Sequence, residues 1–489
     1  MLDNAEIRKW KKNHGIQRHK LYRLINVDSC TSKLCNAKAH FKNDRERSNA
    51  IVNCLRGQGM DIRYLEVNPS VFVIKKGLPE PYQTCFKEEP LKPVRNFLGF
   101  DSTNIEYVFS NGNKSGSPYD ILRYGPYHCQ GPIEVSVYYT EARYQRVFRK
   151  IDKLITSGLN NVKFEYERLS DLDVLHQGNG VKIAIVSSNM FNNDELSKAK
   201  FMSYHNGVSQ LQLIDGNKLY KNYSGNVDQR SLKYTAANIL SSIYFRSECT
   251  PFYVSIPGSD DILHKALYVG IGIRRLSDKY VKGMAVVMTD LGRVLSYVDE
   301  DFEISGSKSL EFNEKEINEF NEKILEHVNQ YTQKADRKPE LLVVLRSRRF
   351  HEKEVDAILG NKLINTFRRL WLRRSINTLV PRLLLMSASK TDYYFGEEVA
   401  AFVPAVNRKN SGAWLIQLRR FKRAVQLQWD CINCNKELPL IAYMYTRALH
   451  FTSLSLSRTT PFPITLARNY LKWKIGSGYE AKEYLWMNI

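Results

Sequence analysis

The hydrophobic and polar positions of the chain change period along its length, and each change marks an element. MDIRYLEVNPSVFVIKK (60–76) is rich in strand-forming residues and predicts one or two strands, which GLPEP (77–81) breaks with Gly and Pro. RYGPY (123–127) and QGP (130–132) punctuate the chain again. Strands and helices then alternate. IEVSVYY (133–139) predicts a strand, ARYQRVFRKIDKLITSG (142–158) a helix ending at Gly, and KIAIVSS (182–188) a short apolar strand. DELSKAKFMSYHNG (194–207) predicts a helix, VSQLQLI (208–214) a strand, SLKYTAANILSSIYFRS (231–247) a long helix and TPFYVSI (250–256) another strand.

Strands separated by helices predict a parallel sheet with crossover helices, a Rossmann-like unit. Ligands of such folds gather beyond the carboxyl ends of the strands and at helix N-termini. From 266 the order changes. ALYVGIGIRR (266–275), GMAVVMTD (283–290) and RVLSYVD (293–299) predict three successive strands, with a tight DLG turn (290–292) joining the last two. An amphipathic helix (313–333) then leads to LLVVLRS (341–347), a short buried strand. Three antiparallel strands, a helix and a parallel strand are the order of a ribonuclease-H-like domain. The fold class is therefore α/β, with a Rossmann-like domain at 133–256 and a ribonuclease-H-like domain at 257–489. A basic N-terminal extension (1–76) and a lead segment (77–132) precede them.

Charge narrows the class of partner. Lys and Arg number 72 against 51 Asp and Glu, a net charge of +21, which favours a polyanion and nucleic acid first, with acidic lipid and acidic protein left open. A hydrophobic content of 43% supplies cores for two to four domains and excludes global disorder. No apolar run approaches the roughly 20 residues of a membrane helix, so no direct membrane insertion is expected. The charged start lacks the apolar segment of a secretory signal. Eight cysteines in 489 residues are too sparse for a disulfide framework, and free thiols in a cytoplasmic location are expected. CINC (431–434) and CTSKLC (30–35) lie far apart, which argues against one four-ligand zinc site. His128, His205 and His351 have no nucleophile at triad-like spacing. The GxG of VGIGIRR precedes a strand hairpin and not a helix, unlike a dinucleotide loop.

GLPEP followed by RYGPY, the two α/β units, and the ending SRTTPFPITLARNYLKW (457–473) together resemble a short prokaryotic Argonaute, a protein made of a MID and a PIWI domain. The resemblance runs from about residue 77 to the C-terminus. It implies that 77–132 packs on PIWI, that 133–256 is a MID-like domain binding the 5′ end of a guide strand, and that 257–489 is PIWI-like. It also implies a guide 5′-phosphate pocket of Lys200, Gln210 and Arg246. These side chains suit a phosphate, since two cations neutralise it, Gln offers an amide, and Arg can engage two oxygens. Leu196 stands where the family carries Tyr, removing a hydroxyl and a stacking face. Without the resemblance, Lys200 and Arg246 read as ordinary solvated helix residues and Gln210 as a bond to nearby backbone. The carboxylate of the last residue, Ile489, is implied to help hold Mg2+ beside the guide end.

A cutting PIWI domain needs acidic side chains around two metal ions. Gly272, Ser347 and Arg468 stand at the matching positions, so no enzymatic activity is expected. Arg346, Arg348, Arg349, Arg447 and Arg458 read as contacts to the nucleic-acid backbone, which is recognised without regard to sequence. FRRLWLRR (367–374) reads either as part of that channel or as the wet face of a helix. The resemblance implies a guide RNA or DNA paired with target DNA, and an effector or Argonaute-associated-domain protein that carries the output in prokaryotic immunity. A guide-independent nucleic-acid binder or scaffold is the alternative, and a nuclease using unrecognised carboxylates is the third reading; Asp290 and Asp299, at hairpin ends, read as solvated.

Overall fold

The computed structural model describes residues 63–68 and 71–75 and most of 105–475; within 105–475 the longest stretches not described are most of 304–338 and of 347–381. The chain divides into two units, 1–102 with 388–429 and 103–387 with 430–489. In the first, Arg63–Asn68 (β1) and Val71–Lys75 (β2) form an antiparallel hairpin, as the alternation at 60–76 predicts. Tyr394–Phe395 adds beside β2, and Val399–Pro404 pairs antiparallel with Ser411–Gln417. The rest of the 1–76 extension, and GLPEP, lie outside the described residues.

The second unit opens with Glu106–Val108 (β3) and Lys114–Ser115 (β4), an antiparallel pair. A parallel sheet follows, built from Ile133–Tyr139 (β5), Val162–Arg168 (β6), Val181–Val186 (β7) and Leu211–Asp215 (β8) in the order β8-β7-β5-β6. β7 is VKIAIV and buried throughout, the composition a strand covered on both faces requires. β6, VKFEYER, is an edge strand that sequence reading missed: charges at alternate positions face solvent there and mask its strand character. The connecting helices are Ala142–Thr156 (α1), Asn193–Met202 (α2), Gly216–Tyr223 (α3) and Gln229–Arg246 (α4). α1 buries Tyr144, Val147, Phe148, Ile151 and Ile155, one helical stripe. Asn192, Asp215 and Asp228 cap the backbone N–H groups at the starts of α2, α3 and α4, and Glu195 completes a capping box at the first.

TPFYVSI departs from expectation. Only Tyr253–Ser255 (β9) is a strand, and it pairs antiparallel with β3, not with the parallel sheet. Thr250 is bridged to His128, and the Phe252 ring packs on Tyr107 and Phe451 at 5.1 and 5.0 Å, which turns the chain away. Phe451 continues this cluster to Phe462 at 5.5 Å, and each such aromatic pair contributes about 0.5–1.5 kcal/mol beyond area burial.

The second sheet matches the predicted order. Ala266–Arg275 (β10), Tyr280–Thr289 (β11) and Val294–Glu303 (β12) are antiparallel neighbours. Leu341–Arg346 (β13) runs parallel to β10 on its other side, and Arg382–Lys390 (β14) runs parallel to β13. Thr289 N donates to Arg293 O at 2.9 Å across the DLG turn, where Gly292 takes φ +77°. The helix expected at 313–333 falls mostly outside the described residues.

Leu438–Ala448 (α5) and Phe462–Ile475 (α6) complete the second unit. α6 lies directly on β10. A Cβ at Gly270 would strike the backbone of Pro463, and one at Gly272 would lie 2.9 Å from Arg468 N. Only glycine lets a helix backbone approach a sheet so closely. The far end of α6 reaches the first sheet, where Trp473 joins the core cluster of Leu196, Ala199, Leu211 and Leu213, and Tyr470 packs on Phe201 at 5.7 Å.

His450, between α5 and α6, is buried, lies 5.2 Å from the Phe462 ring, and bonds Thr460 O through Nε2 at 2.7 Å, so the proton sits on Nε2. Burial, then the charges of Arg458 and Arg447, push its pKa down to about 3. An unfolded histidine titrates near pH 6.5, so the unfolded chain binds the extra proton between those values. Stability is therefore expected to hold above about pH 6.5 and to fall as pH drops towards 3. Urea unfolding at a series of pH values checks this, and His450→Gln should flatten that acid limb.

Candidate functional site

At the carboxyl edge of the parallel sheet, where such folds ordinarily bind ligands, side chains bond one another. Tyr144 OH donates to Asn217 Oδ1 at 2.6 Å, and Asn217 Nδ2 donates to Ser187 Oγ at 3.0 Å. The predicted residues gather at the opposite edge. Lys200 lies in the last turn of α2 and Arg246 ends α4, so both cations sit at the negative end of a helix dipole. Gln210 immediately precedes β8; its N–H donates to Ser203 O at 2.8 Å and its carbonyl accepts from Lys182 N at 3.0 Å.

Lys200 and Arg246 come together inside the protein, 2% and 4% exposed, and are not solvated helix residues. The Lys200 ammonium lies 4.6 Å from the Trp473 ring centre. Burial, and then the neighbouring Arg246 charge, hold its proton affinity well below that of an ordinary lysine. The Lys200 carbonyl accepts from Ser203 Oγ at 2.9 Å and Ser209 Oγ at 3.0 Å. Arg246 donates from Nε to Ser242 Oγ (3.2 Å), from Nη1 to Ser209 O, and from Nη2 to Gln212 Oε1 (2.9 Å). Ser242 Oγ also donates to Gln212 Oε1 at 3.0 Å. Trp473, Gln212, Ser209 and Ser242 escaped the sequence reading. Ser242 was findable, four residues before Arg246 on one helix face. Gln212 was visible as a polar break in an apolar strand, and Trp473 carried no local signal. Leu196 is fully buried in the core around Trp473.

Gln210 and Arg246 form part of the wall of a cleft of about 990 Å³. Tyr127, Tyr253 and His264 line it, as do Lys265 and Arg293. Lys265 pairs with Glu340 at 2.7 Å and Arg293 with Glu248 at 3.5 Å, in exposed pairs that contribute little to stability. The expectation of free thiols fails here, because Cys129 and Cys249, both on the cleft wall, form a disulfide. Composition could not reveal it, since the antiparallel bridge of His128 and Thr250 is what brings the two cysteines side by side. Cys431 and Cys434 remain thiols.

At the second sheet the structure brings Gly272 and Arg468 together. A Cβ at Gly272 would stand 3.2 Å from Arg468 Cγ, so helix and arginine fill the space a side chain would enter. Ser347, Arg348, Arg349, FRRLWLRR and Ile489 lie outside the described residues. Arg346 pairs in register with Ile271, beside Gly272, and its guanidinium lies 5.6 Å from the Phe350 ring centre. Arg346 and Arg447, read from sequence as backbone contacts, are buried at 1% and 6% exposure, while Arg458 is half-buried. Among the described residues no cluster of three or more His, Cys, Asp or Glu side chains could hold a metal, and no helix is long and apolar enough to cross a membrane.

No family model and no curated protein matches the sequence. Solved structures do match. Marinitoga piezophila Argonaute in complex with 5′ OH guide RNA superposes at a TM-score of 0.52 and 15% identity, over 78% of this chain and 59% of that one. A. aeolicus Argonaute gives 0.53 at 13% identity over 93% and 60%, and Drosophila Piwi 0.54 at 12% over 92% and 60%. The fold is that of the Argonaute and Piwi proteins. This chain spans about 60% of the length of those proteins. Within this fold α6 packs on both the parallel sheet and the sheet that carries Gly272.

The disulfide generates a direct test. Digestion without reductant should yield a cross-linked peptide containing Cys129 and Cys249. Reduction of the native protein should lower its unfolding free energy by roughly 2–5 kcal/mol, read as a lower urea midpoint.

Proposed function

We propose that this chain is a short Argonaute of the MID–PIWI kind that loads a guide strand by its 5′ end, pairs it with target DNA and does not cut. The observation that carries the proposal is the meeting of Lys200 and Arg246, two like charges from separate helix ends, buried together beside Gln210. A terminal phosphate there is favoured on both counts, since an anion relieves cation repulsion and accepts charge-assisted hydrogen bonds. The Marinitoga piezophila protein is solved with guide RNA and with guide RNA and target DNA, which supports guide RNA (or DNA) and target DNA as partners. The net charge of +21 supports backbone binding, sequence being read by pairing to the guide.

Gly272, with Arg468 packed over it, and Ser347 offer no carboxylate to a metal, which supports the non-cutting reading. An output then requires another protein, so an effector or Argonaute-associated-domain partner, acting in prokaryotic immunity in the cytoplasm, belongs to the same proposal. A Mg2+ at the guide end does not fit the described side chains. Lys200, Arg246 and Gln210 would repel it or offer a single amide oxygen, and the Ile489 carboxylate lies outside them. No step is assigned to a metal.

A guide with a 5′ hydroxyl is the second reading. The guanidinium of Arg246 is already bonded to Ser209, Gln212 and Ser242, burial favours a neutral Lys200, and the guide RNA bound to the Marinitoga piezophila protein is a 5′ OH strand.

Binding of labelled single strands separates the readings. Preference for a 5′ phosphate, reduced about tenfold or more by Arg246→Ala, is the expected result. Preference for a 5′ hydroxyl selects the second reading, and indifference to the end selects a guide-independent binder or scaffold. Incubation of the guide-loaded protein with complementary DNA and Mg2+ or Mn2+ should give no cleaved product; a product abolished by changing a carboxylate would restore the nuclease reading.

A further inference from the structure

The cleft beside Arg246 carries a feature that phosphate recognition leaves unused. Tyr127 is 41% exposed, lines the cleft, and stacks one face on Tyr253 with ring centres 5.4 Å apart and planes 24° from parallel. Tyr253 is itself fixed, its hydroxyl 2.6 Å from His264 Nδ1 and its ring 4.5 Å from the imidazole. The backbone around Tyr127 is pinned as well. Tyr127 N donates to Pro251 O at 3.1 Å, His128 and Thr250 exchange bonds of 3.2 and 2.9 Å, and the Cys129–Cys249 disulfide follows one residue later. An aromatic residue 41% exposed, stacked on one side by a fixed ring and with its backbone pinned, has little freedom left to lose.

We infer that Tyr127 is the stacking platform for one nucleobase of the bound single strand, on the wall of the cleft that Arg246 and Gln210 share. The inference rests on the guide-binding reading and adds a recognition element to it. At this wall the charges are of mixed sign and paired, Glu248 with Arg293 at 3.5 Å and Lys265 with Glu340 at 2.7 Å, and with Asp290 also on the wall it is not a continuous positive track for a run of phosphates. An uncharged, flat base needs no such track. Stacking on a ring already immobilised by Tyr253 and His264 costs less ordering than stacking on a mobile one, and every base has a π-face to offer.

The test is an abasic scan. Single-stranded oligonucleotides with a 5′ phosphate, each with one abasic site at a different position, are titrated against the full chain and its Tyr127→Ala and Tyr127→Phe variants. At one position, loss of the base should weaken binding to the unmodified protein about tenfold. Tyr127→Ala should weaken the intact oligonucleotide by the same factor and erase that penalty, while Tyr127→Phe keeps it. A penalty that survives Tyr127→Ala, or a scan with no penalty at any position, overturns the inference. An independent measurement uses the unsubstituted protein. Photo-crosslinking of an oligonucleotide carrying 5-iodouracil at the sensitive position should label the peptide containing Tyr127, and labelling elsewhere alone overturns the inference. If phosphorylated and hydroxyl-ended strands bind equally, the guide-end reading fails while the scan still decides the platform.

Discussion

Two glycines in one strand set the geometry of the second unit. Gly270 and Gly272 let the backbone of α6 rest on β10, with Pro463 over the first and Arg468 over the second. A side chain at either place would force the helix outward. Because α6 is 14 residues long, its position on β10 also fixes where its last turns go, and they reach α2. There Tyr470 meets Phe201, and Trp473 covers the Lys200 ammonium. The same seating therefore governs both chemically interesting places. It fills the space that a side chain at position 272 would enter, and it builds the apolar roof that desolvates a cation some distance away.

That desolvation gives the pocket its character. A lysine on an open helix keeps its proton at neutral pH and interacts weakly with anions, because water screens both. Lys200 is enclosed by Trp473 on one side and lies near the Arg246 charge on another, so its ionisation is coupled to whatever arrives. Arg246 contributes differently. Its guanidinium stays charged at any working pH and is held by Ser209, Gln212 and Ser242. Held this way it is a preorganised positive field, and an incoming anion need not order the side chain first.

Much of the fold was legible because local pattern and tertiary burial agree. IEVSVYY and ALYVGIGIRR are strands over the residues their composition marks, since their apolar positions coincide with faces that helices cover. Where the two disagree, reading fails. β6 alternates charged and apolar residues at a sheet edge, so its strand character hides behind Lys163, Glu165 and Glu167. TPFYVSI has strand composition, yet its pairing partner is set by aromatic packing from a segment more than a hundred residues earlier. For the candidate site, Lys200, Gln210 and Arg246 were named through the family resemblance, not from any local pattern. Their burial was not legible, because it depends on Trp473, and no local pattern links residues so far apart. Arg346 and Arg447 show the converse error: arginine suggests a wet surface by default, but both lie in the interior of the second unit.

The two edges of a parallel α/β sheet are not chemically equivalent, and in this chain the buried cations sit at the less usual one. At the carboxyl edge, helix N-termini offer backbone N–H groups that hold anions with no help from side chains. Here Asp215 and Asn192 take those N–H groups as caps, and Tyr144, Asn217 and Ser187 are hydrogen-bonded to one another beside them. At the amino edge the helix termini are carbonyl ends, which attract cations, and Lys200 and Arg246 occupy them. An anion bound at this edge must therefore be held by side-chain cations whose own positions the helix carbonyls stabilise. Such a site depends on distant packing for its shape. Backbone cradles form wherever the loop folds, whereas a cradle of side chains forms only when α6 is seated on its glycines. The geometry of the amino edge is thereby tied to the packing of the second sheet through a single helix.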